Sequence, residues 1–267
     1  MYSDTATARC TAQKTMIFTG PHFYLGLIQI ALVAAYVLIA VYAAGRNAIA
    51  DRIVIWLVGA FLLMYKTGEY VTMGKVPVDL SAASYFLFGA VAFVPFRPLK
   101  AAASFSAMLS GAVYFFTMIL YPETHVAGVQ TAAVPAFDLA MAMTNHNMLF
   151  LGGLFMCAKY AFPREDYVWV LGWFAFFFAY LQLVTVGYGI NYANTSIVQI
   201  LTGTLVADVL GVPLTAAYYV VYYVVVTGLC VAIITLYSLL NRTYAAKKVD
   251  RRPVFLPPLL RMPSYFA

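Results

Sequence analysis

The sequence predicts an all-α polytopic membrane protein with seven transmembrane helices. Three observations lead there. Of the 267 residues, 64% are hydrophobic and 10% charged, whereas soluble domains carry roughly 45–50% apolar and about 25% charged residues. The mean hydropathy is +0.85. The apolar residues come in long unbroken runs of helix-spanning length rather than in alternation. This excludes a soluble enzyme, a disordered chain, a disulfide scaffold and a porin-like barrel. It also leaves no room for a sizeable soluble domain.

Seven runs follow in order. The first covers residues 24–44 and stops at Gly45-Arg46-Asn47. The second covers 52–73, with Lys66, Thr67 and Glu69 near its far end. The third, 77–96, opens on Pro77, a residue suited to a helix start, and closes at Pro95 and Pro98. The fourth is 101–121, closed by Pro122, and the fifth is 137–161, closed by Pro163. The sixth is 167–188. The seventh, 212–240, is long enough to tilt or to extend past the bilayer. Residues 123–136 read as a loop. Residues 189–211 form a longer connection whose semi-apolar stretch 197–210 fits an interfacial or a re-entrant segment. The domain plan is therefore a polar N-terminal extension (1–22), a seven-helix membrane domain (23–241) and a basic, proline-rich tail (242–267). Residues 1–20 lack the apolar core of a cleavable signal peptide.

Charge placement orients the spans. With the C-terminus in the cytoplasm, seven spans put the N-terminus outside. Twelve of the 16 basic residues then lie inside, six of them in the tail. The connections 122–138 and 189–211 carry no Lys or Arg. That asymmetry satisfies the positive-inside rule. The net charge of +6 thus suits anionic lipid beside the tail and gives no reason to expect nucleic acid. The expected location is a bacterial inner membrane.

Polar groups inside spans are expensive and are functional candidates by default. Glu69, Asp79, Ser81, Ser84, His146 with its neighbours Asn145 and Asn147, and Gln182 all fall in the outer half of the bilayer in this topology. Asn191 lies just beyond. His146 sits about nine residues, or roughly 13 Å, into its span. It reads either as a core histidine bonded to a neighbouring helix or as a general base. Ser81 and Ser84 read either as small packing hydroxyls or as a nucleophile within reach of that base. Asp79, soon after Pro77, reads first as a helix cap, since it points about 200° from Ser81. Lys66 and Glu69, three apart, read as an ion pair. Tyr218, Tyr219, Tyr222 and Tyr223 read as an interfacial belt or as part of the same pocket wall.

No metal site or cofactor is expected. One histidine within the bilayer supports neither a metal nor a haem, and the spacing of Asp79 and Glu69 adds nothing to it. Cys10, Cys157 and Cys230 form no CxxC pair or Cys/His cluster. The last span has no lysine for a retinal Schiff base. Phosphate-binding glycine patterns are absent.

Three segments together carry a resemblance. They are residues 76–84, Val-Pro-Val-Asp-Leu-Ser-Ala-Ala-Ser, at the start of a span; Thr144-Asn145-His146-Asn147 in the fifth; and Gly189-Ile190-Asn191-Tyr192 after the sixth. Their order and spacing resemble the YwaF-like integral membrane family. That family includes the animal transmembrane acyltransferase of ether phospholipids and is similar in fold to the androgen-induced-gene lipid hydrolases. The resemblance spans roughly residues 50–240. It implies a nucleophile at Ser81, where the family has cysteine, a base at His146, and a pocket mouth lined by Asn191 and Tyr192. A serine needs more help from its base than a thiol, so the replacement also fits lost catalysis.

Two functions follow as expectations. One is a lipid acyltransferase or hydrolase, with Ser81 as nucleophile, His146 as base and Asn145, Asn147 or Asn191 donating to the oxyanion. The other is a non-catalytic membrane subunit or lipid-binding protein, whose partners are membrane lipids and other membrane subunits. A small transporter would call for an internal repeat and a broken helix at mid-membrane, and neither is evident.

Overall fold

The computed structural model describes residues 20–130, 134–188 and 216–249. All regular structure among them is helical: α1 (Phe23–Tyr42), α2 (Ala48–Met73), α3 (Leu80–Val91), α4 (Arg97–Leu120), α5 (Pro122–Val129), α6 (Pro135–Lys159), a 3-10 turn (Arg164–Asp166), α7 (Tyr167–Tyr188) and α8 (Ala216–Val249). Local chemistry sets several ends. Asn47 caps α2, its side chain accepting from the Ile49 and Ala50 amides. Gly74, at φ 59°, closes the same helix in the left-handed conformation that glycine adopts without strain. Prolines stand in the first turns of α4, α5 and α6, where a missing amide costs nothing.

Helix α4 is the hub. It packs against α1, α3, α6 and α7. Most of its buried residues are small: Ala101, Ala102, Ala103, Ser104, Ser106, Ala107, Ser110 and Gly111. Such residues let backbones approach closely. A Cβ on Gly111 would stand 2.6 Å from the Phe150 Cβ and 3.1 Å from the His146 carbonyl. The outer surface is the reverse of a soluble protein. Leu27, Ile28, Val37, Leu38, Ile53, Trp56, Leu57, Met64 and Val71 are exposed, while Gln29, Asp51, Lys66, Lys100, Asn145, Asn147 and Asn241 are buried. Three described helices, α1, α2 and α4, are long and apolar enough to cross a membrane.

Three elements differ from expectation. The third run was expected to span from 77 to 96, but α3 has only 12 residues, about 18 Å against a roughly 30 Å hydrocarbon core. Asp79 is still extended, at φ −105° and ψ 150°, so the helix starts late. It stops early in a tighter turn, where the Phe93 and Val94 amides bond the Ala90 and Val91 carbonyls. The expected loop 123–136 contains α5, which Pro122 starts. Helix α8 continues through Val249, into the segment assigned to the tail. The N-terminal extension, the connection after α7 and the proline-rich part of the tail lie outside the described residues.

The two ends of α2 mark two polar regions. At the Asp51 end, the Asn241 Nδ2 donates to the carbonyls of Cys157 and Tyr160, both at 2.7 Å, and its Oδ1 accepts from the Phe162 amide at 2.9 Å. This buried amide joins α8 to α6. Arg97 Nε donates to Asp166 Oδ2 at 2.8 Å. Asp51 accepts from the Gly45 amide at 3.1 Å, and the Tyr244 hydroxyl donates to the Ala40 carbonyl at 2.8 Å.

Candidate functional site: a polar cavity at the Lys66 end

The last turns of α2 carry Tyr65, Lys66 and Glu69 toward the start of α6 and the end of α5. A cavity of about 550 Å³ lies between them. Its polar wall is Tyr65, Lys66, Glu69, Lys75, Asp138 and Asn145, and its apolar wall includes Met73, Val134, Phe137 and Met141. Lys66 Nζ donates to Glu69 Oε2 at 2.7 Å, and Lys75 Nζ lies 3.6 Å from Glu69 Oε1. The expected Lys66–Glu69 pair is therefore present, as part of a three-member cluster. Lys66, only 8% exposed, also lies 4.8 Å over the Tyr85 ring. Such a contact helps to hold a desolvated ammonium.

Asn145 is 1% exposed, and its Oδ1 has no hydrogen-bond partner among the described residues. A buried acceptor left unpaired costs about 1–3 kcal/mol. Its neighbour His146 turns away. Its Nδ1 stands 2.8 Å from the Ala142 carbonyl. Because a carbonyl only accepts, Nδ1 carries the proton and Nε2 keeps its lone pair. The ring stacks on Tyr114 at 3.9 Å and 8°, and meets Tyr85 edge-on at 5.5 Å. The hydroxyls of Tyr85 and Tyr114 are also without partners among the described residues.

The other expected site residues scatter. Asn147 accepts from the Tyr36 hydroxyl at 2.8 Å and exchanges bonds with Gln29 at 3.3 Å, so it joins α6 to α1. Ser84 Oγ lies 2.6 Å from Ser106 Oγ, which also accepts from Trp173 Nε1 at 3.2 Å. That trio ties α3, α4 and α7 together. Asp79 occupies the N-cap of α3 but makes no side-chain cap bond. Ser81 is half-buried, one turn before Tyr85, and makes no hydrogen bond to another described residue. Neither Ser81 nor His146 is among the residues lining the cavity. The Gln182 side chain, Asn191, Tyr192 and the side chains of Tyr218, Tyr219, Tyr222 and Tyr223 lie outside the described set. The candidates thus divide: Glu69 and Asn145 share the cavity, Ser84 and Asn147 hold helices together, and His146 is enclosed by tyrosines.

Tyr65, Lys75 and Asp138 are cavity residues that sequence reasoning missed. A signal was present for one. Asp138, Ala142 and Asn145 follow at spacings of four and three, one face of a helix.

Helix α5 covers this end. His22 at the start of α1 donates to Glu123 twice, from its amide at 2.8 Å and from Nδ1 at 2.6 Å. Burial alone would raise the Glu123 carboxyl, but the His22 bonds outweigh it and hold it below its usual range. His125 packs edge-on against Tyr114 at 4.8 Å, and its Nε2 lies 3.0 Å from Thr117 Oγ1. Burial pushes its pKa down to about 4, so it is neutral at pH 7.

Comparison of the chain with models of protein families, with curated proteins and with solved structures finds no match.

Proposed function

We propose that this is an integral membrane protein that binds a membrane lipid through the cavity at the Lys66 end. The seven-span arrangement with the N-terminus outside belongs to the same proposal and puts that cavity in the outer half of the bilayer of a bacterial inner membrane. The observation that carries the reading is the Asn145 Oδ1, fully buried and unpartnered beside a cavity of about 550 Å³. The Asn145 side chain lines the cavity, and a ligand donor reaches this covered acceptor by displacing the side chains packed over it. Two ammonium groups, Lys66 and Lys75, balance two carboxylates, Glu69 and Asp138, along the wall, which suits a headgroup with separated charges. Met73, Val134 and Phe137 supply an apolar flank for the chain behind it.

Filling the cavity tests the reading. Lipid that co-purifies with wild type and with Met141→Trp would be counted by mass spectrometry. At least a five-fold loss in the variant is expected. Equal lipid in both would overturn the reading.

One observation favours catalysis as a second reading. The His146 Nε2 lone pair is the form a general base needs, and Ser81 stands one turn from the Tyr85 that touches the same ring. In this reading, which the YwaF-like resemblance suggested, Ser81 Oγ attacks the ester carbonyl of an acyl lipid, His146 Nε2 takes its proton, and the same proton passes to the departing alcohol oxygen as the ester C–O bond breaks. Turnover of labelled phospholipid by wild type, Ser81→Ala and His146→Ala separates the readings. Loss in both variants supports catalysis, and equal turnover in all three ends it.

A further inference from the structure

A second site stands at the opposite end of the bundle. Lys100 on α4 is 6% exposed. Its ammonium donates to the Tyr160 hydroxyl at 3.0 Å and lies 4.5 Å from the centre of that ring. No carboxylate pairs with it among the described residues. A buried ammonium without an anion is costly. Lys159 on α6 flanks the same ring at 5.5 Å and donates to the Ala48 carbonyl at 2.9 Å. Arg52, one turn after Ala48, is exposed and lies 5.9 Å over the exposed Trp56. The Arg52 charge acts on both lysines, and the acid acting on the group is Asp51, through Lys159. Nearby Asp166 is bonded to Arg97. Lys100 and Lys159 thus flank one tyrosine from two helices, and Arg52 stands on a third, one turn from the Ala48 carbonyl that Lys159 bonds.

We infer that Arg52, Lys159 and the underlying Lys100 form a binding site for the phosphate of an anionic phospholipid. Arg52 and Lys159 supply the surface contacts, and Lys100 adds a charge that the phosphate stabilises from below. Trp56 and Tyr160 are the amphipathic rings expected at headgroup level. Basic pockets between membrane helices suit such headgroups. The site is independent of the cavity at the Lys66 end.

The test uses delipidated full-length protein in neutral detergent. Phosphatidylglycerol, phosphatidylcholine and inorganic phosphate are titrated separately, with bound lipid read by native mass spectrometry and protection read by thermal unfolding. Phosphatidylglycerol is expected to bind at least ten-fold tighter than phosphatidylcholine. Arg52→Gln with Lys159→Gln should remove at least ten-fold of that affinity and leave phosphatidylcholine unchanged. Arg52→Lys with Lys159→Arg should keep most of it, which separates charge from folding. Equal binding of the two lipids, or full binding by the double Gln variant, would overturn the site. Protection by inorganic phosphate at the same concentration would also overturn it, in favour of a soluble anion.

Discussion

The two ends of α2 treat buried polar groups in opposite ways. Asp51 and Lys66 are fifteen residues apart on one helix, roughly 22 Å. At the Asp51 end, the Asn241 amide is saturated by three backbone groups of α6 and the turn after it. At the Lys66 end, the Asn145 amide is as deeply buried, yet its oxygen has no described partner and a cavity lies beside it. Same residue type and same burial, then, but one holds helices together and the other carries an unfilled bonding capacity. Burial of a polar residue does not by itself mark a site. Its hydrogen-bond account does.

That contrast can be broken by substitution. Asn241→Leu should have the largest effect, since it leaves the Phe162 amide and two carbonyls unpaired in the interior. About 3 kcal/mol of destabilisation is expected, read by thermal unfolding in detergent. A loss below about 1 kcal/mol would mean that water reaches these groups. Ser106→Ala removes the hydroxyl shared by Ser84 and Trp173 and should cost about 1–2 kcal/mol. A neutral result would deny that trio its role.

A smaller effect concerns acid stability at the Lys66 end. The folded His125 pKa is about 4, below the roughly 6.5 of an unfolded histidine. The unfolded chain therefore binds more protons between those values. The stabilisation is fully present above pH 6.5 and is lost as pH falls toward 4. His125→Gln should flatten that part of the stability–pH curve, and an unchanged slope would contradict the burial. Glu123→Gln should have the smallest effect. The Glu123 carboxylate is held below its usual pKa, so its contribution is present at neutral pH and fades as pH falls through the folded value. Because the pair is only half-buried, Glu123→Gln should shift the midpoint by no more than about a degree.

Much of the helical order is legible in the sequence, because apolar runs interrupted by proline and glycine are a local property. The second, fourth, fifth and sixth runs lie close to α2, α4, α6 and α7. The start of α3 is less legible, since Pro77 and Asp79 fit a helix start equally at several residues and the extended backbone at Asp79 decides it. Sites are harder. Asn145, His146 and Asn147 are adjacent in sequence, and about 100° apart on a helix. What separates them is which neighbour each meets: the cavity for Asn145, the Tyr85 and Tyr114 rings for His146, Gln29 and Tyr36 for Asn147. Those partners lie up to 118 positions away, and no local pattern reports them. Ser84 repeats the lesson, because its partner Ser106 is on another helix.

The most direct measurement follows Asn145→Leu, which keeps the branched shape and heavy-atom count of the side chain and removes the unpaired acceptor. Thermal unfolding of delipidated protein would be recorded with and without added membrane lipid. Without lipid, the variant should be as stable as wild type or more so, since no bond is lost. With lipid, wild type should gain several degrees and Asn145→Leu should gain less than a third of that. An equal lipid-dependent gain in both proteins, or a steep loss of stability in the lipid-free variant, would contradict the account.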